Sequence, residues 1–248
     1  MSEAIQSLKD PFEVMPHDTA VIFNRLRTNA LLRPFVLIGG TGLTLHIGHR
    51  TSEDLDFITS QNRLPRAALR KLEEELTEAG HAVVWKDDPA AYDDFLEAGM
   101  DLRDHNQNLI IDNTVKVTFF TGEPCHSRLL DKAENENGFR VGSFQELCQL
   151  KAIVAAGRSK SRDWLDLFVL ETDHQFGLRE WKAAYDKAGL TPAHFETALN
   201  RICGGKLPGG DEGYTTLMPN PPTLKEITEH FRKLRKVYEM EISRKLRA

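Results

Sequence analysis

Cysteine is scarce in this sequence. The three residues present, Cys125, Cys148 and Cys203, are widely scattered and form no metal-ligand spacing, which fits a reduced, cytoplasmic protein. Long apolar runs are missing as well. No stretch approaches the roughly 20 residues needed to span a bilayer, and the opening MSEAIQSLKD lacks the apolar segment of a signal peptide, so no membrane partner is expected. There is no excess of positive charge. With 32 Lys and Arg against 37 Asp and Glu, the formal net charge of -5 excludes a surface that grips nucleic acid everywhere, but not a local basic groove. No internal repeat or low-complexity tract interrupts the chain. What remains is an ordinary globular composition, 40% hydrophobic and 28% charged, over 248 residues. That length supports one large domain or two moderate ones with a sizeable core.

The spacing of apolar residues predicts a packing helix over 18–32, then the short apolar strand FVLIGG, ended by two glycines. A short helix over Thr41 to Gly48 follows, then DLDFIT, which alternates like a strand with one buried face. PRAALRKLEEELTEAG is a strong helix, with Pro65 near its start and Gly80 at its end. HAVVWKD, GMDLRDH, NLIID and VKVTFF all read as strands, the last two joined by a tight turn at Asp112-Asn113. From Ser143 onward the pattern is almost wholly helical. Ser143/Glu146 and Thr223/Glu226 form capping pairs, Thr191-Pro192 opens another helix, and the Gly- and Pro-rich 204–223 is a loop. The expected fold is α+β, with a mixed sheet and flanking helices in 1–142 and a helical domain in 143–248.

Asp54 and Asp56 stand two apart on a predicted strand, so both point to the same face while Leu55 and Phe57 point to a core. Adjacent carboxylates repel each other unless a cation sits between them, and magnesium accepts carboxylate oxygens together with substrate phosphates. A bare D-x-D is common and also caps turns or meets arginines. Here it follows Gly39-Gly40-Thr41, where backbone N–H groups at a helix start can hold phosphate and glycine permits close approach. No Gly-Lys-Ser/Thr follows, so this is not a P-loop, and the spacing is not that of the dinucleotide fingerprint.

Strand, GGT, short helix and D-x-D in this order resemble the DNA polymerase β-like nucleotidyltransferases. More narrowly, GGTGLTLHIGHRTSEDLDF resembles the signature of the AbiEii/AbiGii toxin family. The resemblance implies that Gly39, Gly40 and Thr41 contact the nucleotide and that Asp54 and Asp56 bind Mg2+. Arg50 and Ser52 lie in the matching stretch, and Arg50 reads equally well as a structural arginine. Residues 143 to 170 resemble the second signature of the family, a lysine, an arginine seven residues on, then R-D-x-x-D. Leu147, Lys151, Val154 and Arg158 share one helical face, and a lysine in an otherwise apolar stripe needs an anion. A triphosphate is one such anion, so Lys151 is a candidate catalytic and nucleotide-binding residue, with Arg158, Asp163 and Asp166 as further nucleotide-binding candidates. The bland alternative is a structural network in which Arg158 and Arg162 pair with Asp163 and Asp166.

The resemblance also implies a third carboxylate on a later strand. VKVTFF is the strand in the right place, and Thr118 stands where relatives show Asp. Asp101 and Asp112 are nearby in sequence but read as turn acids. The C-terminal TLKEITEHFRKLRKVYEMEISRKLRA is a long helix whose Arg232, Lys233, Arg235, Lys236, Arg244, Lys245 and Arg247 form a solvated face or an RNA-backbone contact. His105, His126 and His174 have no partner at ligand spacing. The expected activity is transfer of a nucleoside monophosphate from a nucleoside triphosphate to a hydroxyl. The resemblance implies RNA, in particular tRNA, as acceptor, and a cognate antitoxin as partner. Transfer to a protein or small molecule, or a catalytically silent nucleotide- or RNA-binding module, stay open as alternatives.

Overall fold

The computed structural model describes residues 8–131, 137–245 and 247. The opening heptapeptide, read above for a signal sequence, lies outside them. The chain divides into two compact units. One comprises 1–123 and 131–143, the other 124–130 and 144–248.

The first unit begins with α1 (Pro11–Val14) and α2 (His17–Arg27), and a 3-10 turn over Ala30–Leu32 leads into β1 (Phe35–Ile38). Next come α3 (Gly39–Ile47), β2 (Leu55–Thr59), α4 (Arg66–Glu78), β3 (Val83–Trp85) and α5 (Pro89–Glu97). A 3-10 turn over Leu102–Asp104 precedes the hairpin of β4 (Asn106–Ile111) and β5 (Val115–Thr121). In the second unit α6 (Pro124–Ser127) comes first, and β6 (Arg140–Val141) then returns the chain to the sheet of the first. The sheet order is β3-β4-β5-β2-β1-β6. β2 runs antiparallel to β1 and parallel to β5, so the sheet is mixed.

One face of this sheet carries the core. Leu37, Leu55, Phe57, Leu109, Val117 and Phe119 are buried with Phe23 and Leu26 of α2 and Leu69, Leu72 and Leu76 of α4. Phe57 and Phe119 stack at 5.2 Å, and Phe139 meets Phe57 edge-on at 4.8 Å, offset and T-shaped geometries that aromatic pairs prefer. Because strand residues alternate, anchoring Leu55 and Phe57 in the core turns Asp56 to the opposite face. In β4 the same alternation buries Gln107, Leu109 and Ile111 and leaves Asn106, Asn108 and Ile110 half-buried on that opposite face.

Two elements depart from the sequence reading. GMDLRDH is not a strand. The Asp101 carboxylate accepts a hydrogen bond from the Arg103 N–H at 2.9 Å and caps the 3-10 turn, a local bond that competes with a ladder. The helix α5 just before it was not predicted. It has Pro89 at its start but exposes Tyr92 and Leu96, so its apolar pattern carries little helical signal.

The second unit continues through α7 (Phe144–Gly157), α8 (Ser161–His174), α9 (Leu178–Ala188), α10 (Pro192–Gly204) and α11 (Leu224–Lys245). Its core is built on Trp164, Trp181, Tyr185 and Phe231, all fully buried. The Tyr185 hydroxyl donates to the Ala152 carbonyl at 2.7 Å, fixing α9 against α7. Two of the expected helix starts are present. Thr191 precedes Pro192 at the start of α10, and the Glu226 carboxylate accepts from both the N–H and the hydroxyl of Thr223 at 2.7 Å.

Candidate active site

Within the first unit, β1 ends where α3 begins, and the change of direction falls on Gly39, whose φ of +74° is in the left-handed region that glycine tolerates best. The Asp56 carboxylate lies against this turn. A Cβ placed on Gly39 would sit 2.7 Å from Asp56 Oδ2, too close for any side chain. Gly40 is required for a different reason, since a Cβ there would meet Arg50 Nη2 at 2.2 Å and Ser52 Oγ at 3.1 Å. Arg50 is therefore a buried cation packed behind the glycine turn, with Nη1 also donating to the Thr51 carbonyl at 2.9 Å. The turn itself begins a nine-residue helix, α3, whose first N–H groups have no intrahelical acceptor and suit an anion.

The expectation that Thr41 seats a phosphate meets a hydroxyl already engaged. It is buried, donates to the Asp54 main-chain carbonyl, and lies 2.8 Å from Ser52 Oγ. Its side chain therefore shapes the loop that carries the acids, and only its N–H belongs to the open helix start. The same loop is tied down by the Ser52 N–H donating to the Val14 carbonyl at 3.1 Å and by Thr19 Oγ1 donating to the Glu53 carbonyl at 3.2 Å. Asp54 precedes the first residue of β2 and is half-buried. Among the described residues its carboxylate meets no hydrogen-bond donor and no cation. Carboxylates are the ligands a hard divalent cation prefers.

A direct consequence is that Gly39→Ala displaces Asp56. We expect a thermal stability loss of about 1–2 kcal/mol from the left-handed conformation. Nucleotidyl transfer should fall at least about tenfold, which corresponds to little more than one kcal/mol in the barrier. Calorimetry and a transfer assay on the same sample check both, and unchanged transfer would detach the glycine turn from the chemistry.

Asp101 and Asp112 are engaged away from this turn. Asp101 caps the Arg103 N–H and pairs with Arg66 at 2.8 Å, and the first of these contacts does most to hold its carboxyl below the usual range. Asp112 sits at φ 52° in the β4–β5 turn, and its bonds to His81 and then the Ala82 N–H lower its pKa in the same way.

In the second unit, Lys151 Nζ lies 2.7 Å from Asp163 Oδ1 and 2.6 Å from Asp166 Oδ2, with all three side chains nearly or fully buried. Arg158 adds a hydrogen bond from Nε to Asp163 Oδ2 at 2.8 Å while about half of its side chain stays exposed. The anion that the lysine in the apolar stripe required is thus supplied by two carboxylates of the neighbouring helix. Arg162 donates to the Gly213 carbonyl at 2.9 Å and pairs with Glu212. Burial disfavours the charged form of Asp163, but Lys151 and Arg158 outweigh it and hold that carboxyl below its ordinary value.

A glycine turn at a helix start, facing an acid of a D-x-D on the adjacent strand of a mixed sheet, defines a nucleotidyltransferase-type site. The sequence matches the family described as nucleotidyl transferase AbiEii toxin, type IV toxin–antitoxin system, over residues 21–237, and the chain belongs to that family of nucleotidyltransferases. The fold is also similar to the crystal structure of a Helicobacter pylori protein assigned as a candidate nucleotidyltransferase, with a TM-score of 0.50 and 17% identity over 90% of this chain and 96% of that one. Weaker likenesses are to JHP933 of H. pylori (TM-score 0.48, 17% identity, 93% and 95% covered) and to the nucleotidyltransferase toxin MenT4 of Mycobacterium tuberculosis (TM-score 0.47, 15% identity, 88% and 84% covered). No curated protein matches the sequence.

Proposed function

We propose that this chain transfers a nucleoside monophosphate from a nucleoside triphosphate to a hydroxyl of RNA, with tRNA ends as the favoured acceptor and Mg2+ held by Asp54 and Asp56. The observation that carries the reading is the Asp56 carboxylate facing Gly39, with Asp54 two residues before it, just ahead of the same strand. The N–H groups of Gly39, Gly40 and Thr41 bind the phosphates, with the Arg50 guanidinium behind Gly40 adding positive charge. The metal, when bound, neutralises the phosphate oxygens. Asp54 and Asp56 are positioned by their loop and strand, so no reorganisation is needed when the substrate binds. The acceptor oxygen then forms a bond to the α-phosphorus, the bond to the bridging oxygen breaks, pyrophosphate leaves, and the hydroxyl proton passes to water.

Within the second unit, Arg158 is the network member open to a phosphate oxygen, and Lys151, Asp163 and Asp166 anchor it. α11 supports the RNA reading. Its Lys233, Lys236, Arg244 and Lys245 are exposed and, among the described residues, form no ion pair, as suits cations that meet a phosphate backbone. Arg235 is not among them, being committed to Glu196 and Glu239. No described helix is long and apolar enough to cross a membrane, and cytoplasmic action opposed by a cognate antitoxin fits the family.

Incubating the protein with α-phosphate-labelled triphosphates, Mg2+ and total RNA or lysate tests this. Label in RNA with release of pyrophosphate is the expected result. Label found only in protein or in a small molecule would overturn the RNA acceptor.

A further inference from the structure

Ile38, Asp56, Thr118 and Asn108 are register partners across β1, β2, β5 and β4, so their side chains share one face of the sheet. On its β5 side Asp56 is therefore followed by Thr118, which is nine-tenths buried. Thr118 Oγ1 donates to Asn108 Oδ1 at 3.0 Å, and Asn108 Nδ2 donates to Asn106 Oδ1 at 3.1 Å. The row beside Asp56 is thus neutral, hydrogen-bonded along its length and ordered by the sheet. It fills the place where a third acid would stand if one were to join Asp54 and Asp56 from β5.

Two carboxylates balance one divalent cation. A second ion at the usual two-metal spacing of about 3.5–4 Å would meet four times the Coulomb repulsion of two monovalent ions, with no acid in this row to offset it. A hydroxyl and two amides do not replace a carboxylate as ligands of a hard cation. Thr118 has moreover committed its proton to Asn108.

We propose that the Thr118–Asn108–Asn106 row restricts this site to a single divalent ion, the one that accompanies the triphosphate. This rests on the reading of Asp54 and Asp56 as metal ligands given above. The acceptor hydroxyl is then positioned by its own binding contacts and not by a second ion, so turnover is slow until a specific acceptor is bound.

The test counts ions. Mn2+ is titrated into the full chain with a mixture of the four α,β-methylene nucleoside triphosphates, and free Mn2+ is read by electron paramagnetic resonance. The wild type should bind one Mn2+ per bound nucleotide, and Thr118→Asp should bind two. Asn108→Asp places an acid in the same row and serves where Thr118→Asp fails to fold. Thr118→Val should stay at one. Two ions on the wild type, or one ion on both folded acid variants, or loss of the ion from Thr118→Val, would each overturn the proposal. Asp56→Asn separates the two layers of the argument. It should weaken Mn2+ binding at least about tenfold, and unchanged binding would overturn the metal assignment itself, whatever the ion count.

Discussion

Asp56→Asn should all but abolish nucleotidyl transfer while leaving the protein folded. Several kcal/mol of charge stabilisation come from a metal held against the reacting phosphates, and each 1.36 kcal/mol is a factor of ten, so the rate should fall by on the order of 10³. The fold should hold because Asp56 lies on the face opposite the core and is half-buried. A carboxamide is nearly the size of the carboxylate it replaces, so the change opens no cavity. Asp54→Asn should behave alike, since its carboxylate has no protein partner to lose among the described residues. Transfer kinetics and thermal melts on the same preparations decide the matter. A variant that is inactive because it is unfolded would show these acids to be structural and would remove the basis for the site.

The opposite outcome is expected for Lys151→Ala. This substitution takes the ammonium away from Asp163 and Asp166, both nearly or fully buried, while the half-exposed Arg158 stays on Asp163. Breaking a buried ion pair by removing one partner typically costs about 3–5 kcal/mol, a large part of the stability of a domain this size. The helical unit should therefore melt early. Trp164, adjacent to Asp163 and fully buried, offers the fluorescence that reports it. Replacing the three buried partners at once, Lys151→Met with Asp163→Asn and Asp166→Asn, should restore much of the loss, because these positions then bury no charge and Arg158, which loses Asp163, is half exposed to water. If Lys151→Ala instead keeps full stability and only weakens triphosphate binding, the network is not what holds these helices.

The same network gives a pH dependence. The Asp163 carboxyl is held below the ordinary carboxylate value of 3.8, so the unfolded state takes up its proton first as pH falls. Its contribution to stability is complete above about pH 3.8 and is lost as pH drops through the lower folded value. Acid unfolding of the helical unit, followed through Trp164, should therefore begin below that value and not near neutrality.

How much of this was legible beforehand depended on distance along the chain. The glycine turn and the D-x-D could be read from the sequence because both rest on local geometry. A strand alternates with period two, so burying Leu55 and Phe57 turns Asp56 outward, and a strand-to-helix turn at φ +74° favours glycine. Helix starts such as Thr191-Pro192 and Thr223 with Glu226 were legible for the same reason, since a cap needs only three or four residues.

Tertiary structure decided the rest. That Lys151 in an apolar stripe needed an anion was a matter of sequence, but that Asp163 and Asp166 supply it depended on how α7 packs on α8. Gly40 could be seen as permissive, yet its need came from Arg50, ten residues on, folding back into the space a Cβ would take. Thr118 could be placed on its strand from pattern alone, but its bond to Asn108 depends on the β4–β5 register. The GMDLRDH segment misled because one side-chain bond from Asp101 redirected a backbone whose composition suits a strand. Periodicity, caps and glycine turns are fixed by neighbours a few residues away, and the sequence states them directly. Which buried charge meets which, and what stands beside an acid in a sheet, is set by packing between distant segments, where only the folded chain brings the partners together.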